Sequence, residues 1–248
     1  MSKTSVCDYS DFDYKTEFWT RSNRNYENKL EHSVIKGLLK VYCKNKSSIL
    51  DAGCGFGRLF KTYQPFFKTY YLVDYAQSLL DQAKEELDTT KNILFYKQSL
   101  YELHLPQQVD TILSVRTLHH LNDVHTLFNR FNKQLKLNGH LILDIPNHYH
   151  IKNRLKHPFK PKKDSVALSK TFFNYNPDFI IQTLTAHGFT LITKKQVGLF
   201  RLPLIKSVFP ATFLITVEKC INLLFCWFNI APSVYVIVKK TVDKYVDN

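Results

Sequence analysis

The stretch ILDAGCGFGR, at Ile49–Arg58, decides how this chain folds. Its apolar first half is typical of a buried β-strand, and its second half places a glycine at every other position, at Gly53, Gly55 and Gly57. Glycine has no Cβ, so it reaches backbone angles closed to other residues and lets the chain approach a ligand closely. A helix that follows such a turn directs backbone N–H groups at that ligand. The pattern therefore predicts a ligand-binding turn between a strand and a helix.

An acidic residue ends the next apolar run, about 20 residues after the glycines. Tyr71-Leu72-Val73-Asp74 is typical of a second buried strand that finishes in a carboxylate. A carboxylate at this position can accept hydrogen bonds from both hydroxyl groups of a ribose. The alternative is that Asp74 only caps the helix that follows.

The rest of the chain alternates short β-branched and aromatic runs with segments of helical period, which favours an α/β fold with a mostly parallel sheet. The predicted strands are Ser48–Ala52, Tyr70–Asp74, Ile93–Lys97, Thr111–Val115, His140–Ile145, Thr190–Gln196 and Val234–Lys239. The predicted helices are Tyr26–Tyr42, Gln77–Leu87, Val124–Leu135 and Pro177–His187. Leu137-Asn138-Gly139 is expected to stop the third of these helices before the fifth strand.

The chain has 248 residues, of which 44% are hydrophobic, and this predicts one domain over residues 1–248. We expect three additions to it: an N-terminal helical cap at 1–46, a basic insertion at 148–174 and an amphipathic helical insertion at 202–230. The five cysteines are scattered, without a spacing that suits zinc or a disulfide framework. The polar, acidic start lacks the pattern of a secretory signal, so we expect a cytoplasmic protein without a metal site.

These motifs together resemble the class I S-adenosylmethionine-dependent methyltransferases, from about Trp19 to Lys240. The resemblance rests on Asp51-x-Gly53-x-Gly55-x-Gly57, the acidic end of the second strand, Leu118-His119-His120-Leu121 and the segment Leu137–Leu141. It implies a Rossmann-like fold of seven strands, mostly parallel, with helices on both faces and an antiparallel last strand. The glycine spacing also lacks the two-residue gap of the nicotinamide fingerprint, which disfavours a dehydrogenase.

The resemblance implies S-adenosyl-L-methionine as the cofactor and assigns residues to its parts. The methionine and ribose end would be lined by Asp51, Gly53, Gly55 and Gly57. Asp74 would hold the ribose hydroxyls, and Tyr75 would pack against the adenine.

Two further cofactor positions follow the third and fourth strands. Ser99, followed by Leu100, stands where the family has an acid that meets the adenine amino group. The Ser99 hydroxyl can accept one hydrogen bond from that amine. Arg116 would face the reactive end of the cofactor, or else pair with a surface acid.

Motifs that this chain lacks narrow the class of molecule that could accept the methyl group. Relatives that methylate exocyclic amines of bases carry an Asn/Asp-Pro-Pro-aromatic tetrad after the fourth strand, where this chain has Ser114-Val115-Arg116-Thr117. A Pro-Cys pair like that of cytosine-carbon methyltransferases is also missing. The remaining pattern resembles the branch that acts on small molecules. We therefore expect methyl transfer to an O or C atom of a small acceptor that is apolar or lipid-linked.

His120 is the candidate general base, with His119 second, because a neutral imidazole can take a hydroxyl proton near pH 7. The alternative is that these histidines only cap or pack against the start of a helix. A base is needed only if the acceptor carries a proton, since the reaction is an in-line displacement that depends mainly on alignment.

The net charge of +13 leaves the partner open. Seven Lys or Arg and one acid lie within residues 151–170, which suits an anionic surface but is also common in solvated loops. No specific nucleic-acid motif is present. A small-molecule acceptor is favoured, and the competing hypothesis is an RNA or protein methyltransferase that is recruited by its basic surface.

The apolar segment Leu202–Ile230 contains an expected amphipathic helix from Thr212 to Ile230. Charges at Glu218 and Lys219 disfavour a membrane-spanning helix. The sequence leaves three roles open: a lid on the acceptor pocket, a peripheral contact with an anionic membrane, or a part of the core.

Overall fold

A computed structural model describes Trp19 and residues 24–44, 46–87 and 92–244. The expected N-terminal cap at 1–46 thus lies partly outside the described residues. The helices are α1 (Asn25–Tyr42), α2 (Phe60–Tyr63), α3 (Gln77–Leu87), α4 (Val124–Gln134), α5 (Ile151–Lys156), α6 (Pro177–Ala186), α7 (Pro203–Val208) and α8 (Ala211–Phe225). The strands are β1 (Ser48–Ala52), β2 (Thr69–Asp74), β3 (Ile93–Lys97), β4 (Val109–Ser114), β5 (Leu135–Pro146), β6 (Ser165–Ala167), β7 (Phe173–Tyr175), β8 (Phe189–Val197) and β9 (Ser233–Lys240).

Seven strands form the central sheet, in the order β3-β2-β1-β4-β5-β9-β8. The first five pair in parallel, and β9 runs antiparallel to both of its neighbours. This confirms the predicted fold class. Because β1 lies between β2 and β4, the strand order reverses there, and such a point is where open α/β sheets bind ligands.

The central strands are apolar on both faces because helices cover both sides of the sheet. One core cluster packs residues of α1, α2, α3 and α8 against the sheet, and the other packs α4 and α6. In α1, Leu30, Leu38 and Leu39 lie on the buried side, as their helical spacing predicts.

The turn before β5 differs from the sequence prediction. The expected helix stop at Leu137-Asn138-Gly139 is wrong, because α4 already ends at Gln134 and β5 begins at Leu135. Asn138 has a positive φ of 64°, and the pairing register with β4 shifts between Val109 and Thr111. Asn138 and Gly139 therefore belong to an irregular, bulged start of β5.

Two later segments have more structure than the sequence indicated. In the basic insertion, α5 is followed by a hairpin of β6 and β7. In the apolar insertion, α7 precedes α8, which ends at Phe225 before a short 3-10 turn at Cys226–Phe228. The single helix expected from Thr212 to Ile230 is therefore shorter and interrupted. Within the described ranges, no helix is long and apolar enough to cross a membrane.

Candidate active site

A pocket opens at the carboxyl ends of β1, β2 and β4, at the strand-order reversal. Most residues that the sequence nominated line it together: Asp51, Gly53, Gly55, Asp74, Tyr75, Ser99, Leu100, Arg116 and His120. Gly57 and His119 lie outside the lining.

The glycines of the turn have three different surroundings. A Cβ on Gly53 would lie 2.2 Å from Thr117 Oγ1, so the backbone of this turn approaches the loop after β4 too closely for any side chain. Gly55 has a φ of +55° and only one atom at 4.0 Å from its hypothetical Cβ, so it borders open space in the pocket. A Cβ on Gly57 would meet Leu87 and Ala83 of α3. Gly57 thus serves the packing of α3 on the turn.

The Asp74 carboxylate ties the end of β2 to the glycine turn. Its Oδ2 accepts the N–H of Gly55 at 2.7 Å, and its Oδ1 accepts the N–H of Ala76 at 2.9 Å. Burial raises the pKa of Asp74, while these backbone hydrogen bonds oppose the rise. Each carboxylate oxygen can accept a second hydrogen bond, so Asp74 can cap the helix and still receive two hydroxyl groups.

Asp51 is buried at the end of β1, where its Oδ2 accepts the hydroxyl of Tyr63 at 2.9 Å. Burial raises its pKa to about 7, although the Tyr63 hydroxyl and the charge of Arg58 act to lower it. The carboxyl group is therefore poised between its two protonation states near neutral pH. A cationic ligand beside it would favour the ionised form.

The wall after β3 combines an exposed aromatic ring with a capped turn. Tyr75 is 48% exposed and lines the pocket, whereas Leu100 is buried. The Ser99 hydroxyl accepts the N–H of Tyr101 at 3.3 Å and so caps the short 3-10 helix Leu100–Glu102. The side-chain amide of the neighbouring Gln98 donates to the carbonyl of His104 and accepts the N–H of the same residue. One lone pair of the Ser99 hydroxyl oxygen is left by the bond from Tyr101 and can accept a hydrogen bond from a ligand, which is the direction expected for the adenine amine.

Arg116 does not pair with a surface acid but with a buried one. Its Nε and Nη2 lie 2.8 and 2.5 Å from Oε1 of Glu31, on α1. Nη2 of Arg58 lies 2.6 Å from the other carboxylate oxygen. Burial raises the pKa of Glu31, but the two guanidinium groups outweigh it and hold this pKa below its ordinary value. One carboxylate thus fixes two arginines at the pocket wall.

Trp19 covers this ionic cluster. The guanidinium carbon of Arg58 lies 3.8 Å from the centre of its ring, and that of Arg116 lies 4.9 Å from it. Both arginines face the aromatic ring at distances typical of cation–π contacts. Trp19 also lines the pocket, so the described part of the N-terminal segment contributes to the wall beside the cluster.

The two histidines pack against each other, with ring centres 3.9 Å apart and ring planes tilted by 43°, and Phe172 packs on both. Burial lowers the pKa of His120 to about 4, although a hydrogen bond with the backbone of Thr171 acts to raise it. Burial, together with the neighbouring His120 and Arg116, lowers the pKa of His119 well below its ordinary value. Both imidazoles are therefore neutral at pH 7. A neutral imidazole has one ring nitrogen with a lone pair that can accept a proton.

The hairpin of β6 and β7 forms part of the pocket wall. Lys170, from its turn, and Phe173, at the start of β7, both line the pocket. The Tyr175 hydroxyl donates to the carbonyl of Leu121, which holds the hairpin against the loop after β4. The basic insertion thus continues directly into the wall of the pocket near His120.

Glu31 and Arg58 were not predicted from the sequence as parts of the site. A signal for Glu31 was present, because it lies beside Leu30 and four residues before Ile35 on the buried side of α1. A carboxylate on a buried helix face needs cationic partners. Arg58, which directly follows the glycines, was a candidate for such a cationic partner. Among the described residues, no cluster of His, Cys, Asp or Glu could hold a metal ion.

Residues 50–143 match the family model described as a methyltransferase domain. Over 121 residues, the chain is 30% identical to the malonyl-[acyl-carrier protein] O-methyltransferase of Bacillus anthracis. This match covers 48% of the chain and 45% of the relative, so the chain matches less than half the length of that curated protein.

Solved structures with the same fold cover most of the chain. The N-methyltransferase NodS from Bradyrhizobium japonicum, in complex with S-adenosyl-L-homocysteine, has a TM-score of 0.60 at 14% identity, covering 90% of this chain and 92% of NodS. The magnesium protoporphyrin IX methyltransferase from Synechocystis with bound SAM has a TM-score of 0.57 at 13% identity, covering 92% and 94%. An S-adenosylmethionine-dependent methyltransferase from Clostridium acetobutylicum has a TM-score of 0.59 at 15% identity, covering 91% and 95%. At these identities the structures establish the fold, and the family match shows that residues 50–143 are similar to a methyltransferase domain.

Proposed function

We propose that this protein transfers a methyl group from S-adenosylmethionine to an oxygen or carbon atom of a small, apolar or lipid-linked acceptor. One observation carries the proposal: the polar residues suited to the cofactor and the neutral imidazole of His120 line one pocket, which also has aromatic walls. The bound cofactor would supply an activated methyl group on a sulfonium.

The donors and acceptors at the glycine turn fit this cofactor. Two carboxylates, Asp51 and Asp74, stand 23 residues apart in sequence at the ends of adjacent strands, and Gly55 leaves open space between them and the solvent. Asp74 suits a ribose diol, and Asp51 suits the cationic methionine end. Tyr75 offers a ring face for the adenine, and the Ser99 hydroxyl offers one hydrogen-bonding group to its edge.

The far side of the pocket suits an acceptor with apolar surface. Trp19, Val115, Leu121 and Phe173 contribute to this wall, together with the polar Lys170. Such a wall excludes water from the reacting atoms and orients the acceptor for displacement. His120 would accept the proton of a hydroxyl acceptor, because its imidazole is neutral and lines the same pocket. The relative from Bacillus anthracis is named as an O-methyltransferase, which favours oxygen over carbon as the acceptor atom.

The experiment supplies S-adenosylmethionine with a tritiated methyl group to the protein together with a cell extract. The extract is divided afterwards into lipid, small aqueous molecules, RNA and protein. We expect label in the lipid fraction or the small-molecule fraction, and its loss with Asp74→Asn. Label confined to RNA or protein, and an activity that falls steeply with salt, would support the competing polymer methyltransferase instead.

A further inference from the structure

The C-terminal end of α8 carries large apolar side chains that face water. Leu223 is 79% exposed and Leu224 is 73% exposed, and Trp227 and Phe228 of the following turn are each 60% exposed. Phe225, between them, is 46% exposed. We call these five residues the apolar end. Contiguous exposed apolar surface of this kind is uncommon on a monomer and marks a contact site.

The orientation of α8 is fixed by polar residues on its inner side. Glu218 is fully buried and accepts the N–H groups of Gly198 and Leu199 at 2.7 and 3.1 Å. It also accepts the hydroxyl of Tyr26, on α1. Rotating the helix to bury its leucines would break these bonds and expose or strand a buried carboxyl group, which is costly.

Asn222 adds a second anchor one turn further along. Its Oδ1 accepts the N–H of Gln196 at 2.6 Å, and its Nδ2 donates to the carbonyl of Gln196 at 2.9 Å. The side chain thus pairs with the backbone of β8 as another strand would. Since Glu218 and Asn222 hold the inner side, Leu223 and Leu224 are directed to the solvent by the fold itself.

The basic insertion lies next to the apolar end. The N–H of Ile151, the first residue of α5, donates to the carbonyl of Ile230 at 2.9 Å, two residues after Phe228. Nδ2 of Asn147 also binds the carbonyls of Asn229 and Ala231, each at 2.8 Å. α5 and the end of the apolar insertion are therefore neighbours at the carboxyl edge of the sheet.

α5 and the loop after it mix exposed apolar and basic side chains. Ile151 and Leu155, one helical turn apart, are 50% and 76% exposed, and Phe159 is 97% exposed. Exposed lysines alternate with them, at Lys152, Lys156, Lys160, Lys162 and Lys163. In the part of the chain that the structure describes, these five lysines form no ion pair with an acid.

We propose that the apolar end and the basic segment 151–163 together dock on an anionic lipid surface. The apolar side chains would enter the boundary between head groups and acyl chains, and the lysines would contact the lipid phosphates. A nucleic acid would engage the lysines but not the leucines, and a neutral apolar partner would leave the lysines unmatched. The joint presence of both groups in neighbouring segments favours the lipid surface.

This contact would bring the pocket to the lipid. The basic segment runs directly into the hairpin whose residues Lys170 and Phe173 line the pocket. The pocket and the docking surface also share the carboxyl edge of the sheet, because β5 ends, and β9 begins, beside Asn147. The docking proposal itself does not depend on which acceptor is methylated.

Co-sedimentation with vesicles tests the proposal. Vesicles of phosphatidylcholine containing about one third phosphatidylglycerol are compared with vesicles of phosphatidylcholine alone, at low and high salt. We expect binding to the anionic vesicles that is at least about tenfold stronger and that weakens as salt is added. Leu223→Glu with Leu224→Glu, and separately Lys152→Glu with Lys156→Glu, should each weaken it by about tenfold or more.

Matched controls make the same changes elsewhere. Lys36→Glu with Lys40→Glu alters the same charge at the same spacing on α1, where both lysines are exposed. Val41→Glu with Leu137→Glu replaces two exposed apolar residues near the opposite edge of the sheet. Both controls should bind like the wild type, and circular dichroism checks that every variant is folded.

Three outcomes would overturn the proposal. The first is wild-type protein that stays in the supernatant with anionic vesicles at low salt. The second is equal loss of binding in the controls, which would mean that charge or apolarity anywhere on the protein suffices. The third is a dimer in sedimentation velocity that the Leu223 and Leu224 changes dissociate, because the apolar end would then be an interface between two copies.

Discussion

Glu31 is expected to be the most costly single charge to remove from this protein. In Glu31→Gln, the side chain keeps its size, but two partly buried guanidinium groups lose the carboxylate that compensates them. Glu31 is 2% exposed and lies 2.6 Å from Arg58 Nη2 and 2.5 Å from Arg116 Nη2. Breaking a buried ion pair by removing one partner costs about 3–5 kcal/mol, and the remaining two cations also repel each other.

The loss is measured by urea unfolding followed by circular dichroism, with thermal unfolding in parallel. We expect the free energy of unfolding to fall by about 3–5 kcal/mol. At roughly 2–4 °C per kcal/mol for a chain of this size, the melting temperature should fall by about 6–20 °C. Glu85→Gln, at an exposed position of α3, is the matched control and should leave the midpoint unchanged. A loss below about 1 kcal/mol in Glu31→Gln, with an unchanged denaturant slope, would refute the ionic cluster as a structural element.

Two further predictions concern the pocket. Because the pKa of Asp51 is raised to about 7, its carboxyl group must lose a proton before it binds a cation, so affinity for S-adenosylmethionine should fall by up to about tenfold per pH unit below 7. Calorimetry between pH 5 and 8 measures this, and Asp51→Asn should bind weakly with no such dependence; a wild-type affinity independent of pH would count against Asp51 as the cation's partner. His120→Ala should leave cofactor binding intact and lower turnover by about 100-fold. At saturating S-adenosylmethionine, the pH profile of wild-type turnover should show no inflection near 6.5 from this histidine, since burial lowers its pKa to about 4. If His119→Ala lowers turnover more than His120→Ala does, or if neither variant lowers turnover, His120 is not the base.

The sheet was predictable because its signals are local. An apolar run and a glycine turn mark β1, an apolar and aromatic run marks β3, and a helical period marks α3; the predicted and observed bounds of all three agree. The start of β5 was not predictable from the sequence, because Asn138 and Gly139 suit a helix end and a strand bulge equally well. Only the pairing with β4 decides between them, and that pairing is a long-range contact.

The pocket residues were predictable only where they follow the ends of predicted parallel strands. Asp51 and Asp74 end adjacent strands, so their meeting follows from the fold. Glu31 reaches the pocket from α1, 85 residues from Arg116, and nothing local links the two. The inner side of α8 could not be predicted for a related reason, since its contacts are also long-range. Polar residues such as Glu218 and Asn222 are expected on the solvated side of an amphipathic helix, but here they find partners on β8 and in the loop after it.

Calorimetry of cofactor binding tests the central claim most directly. The titrant is S-adenosyl-L-homocysteine, which has the groups assigned to Asp51 and Asp74 but cannot react. Wild-type protein should bind it at one site, and Asp74→Ala should bind about 10–150-fold more weakly, the loss of a charged hydrogen-bond acceptor being about 1.5–3 kcal/mol. Asp81→Ala, at an exposed acid of α3, should bind like the wild type. No binding by the wild type at millimolar ligand, or equal affinities for wild type and Asp74→Ala, would contradict the assignment of this pocket to the cofactor.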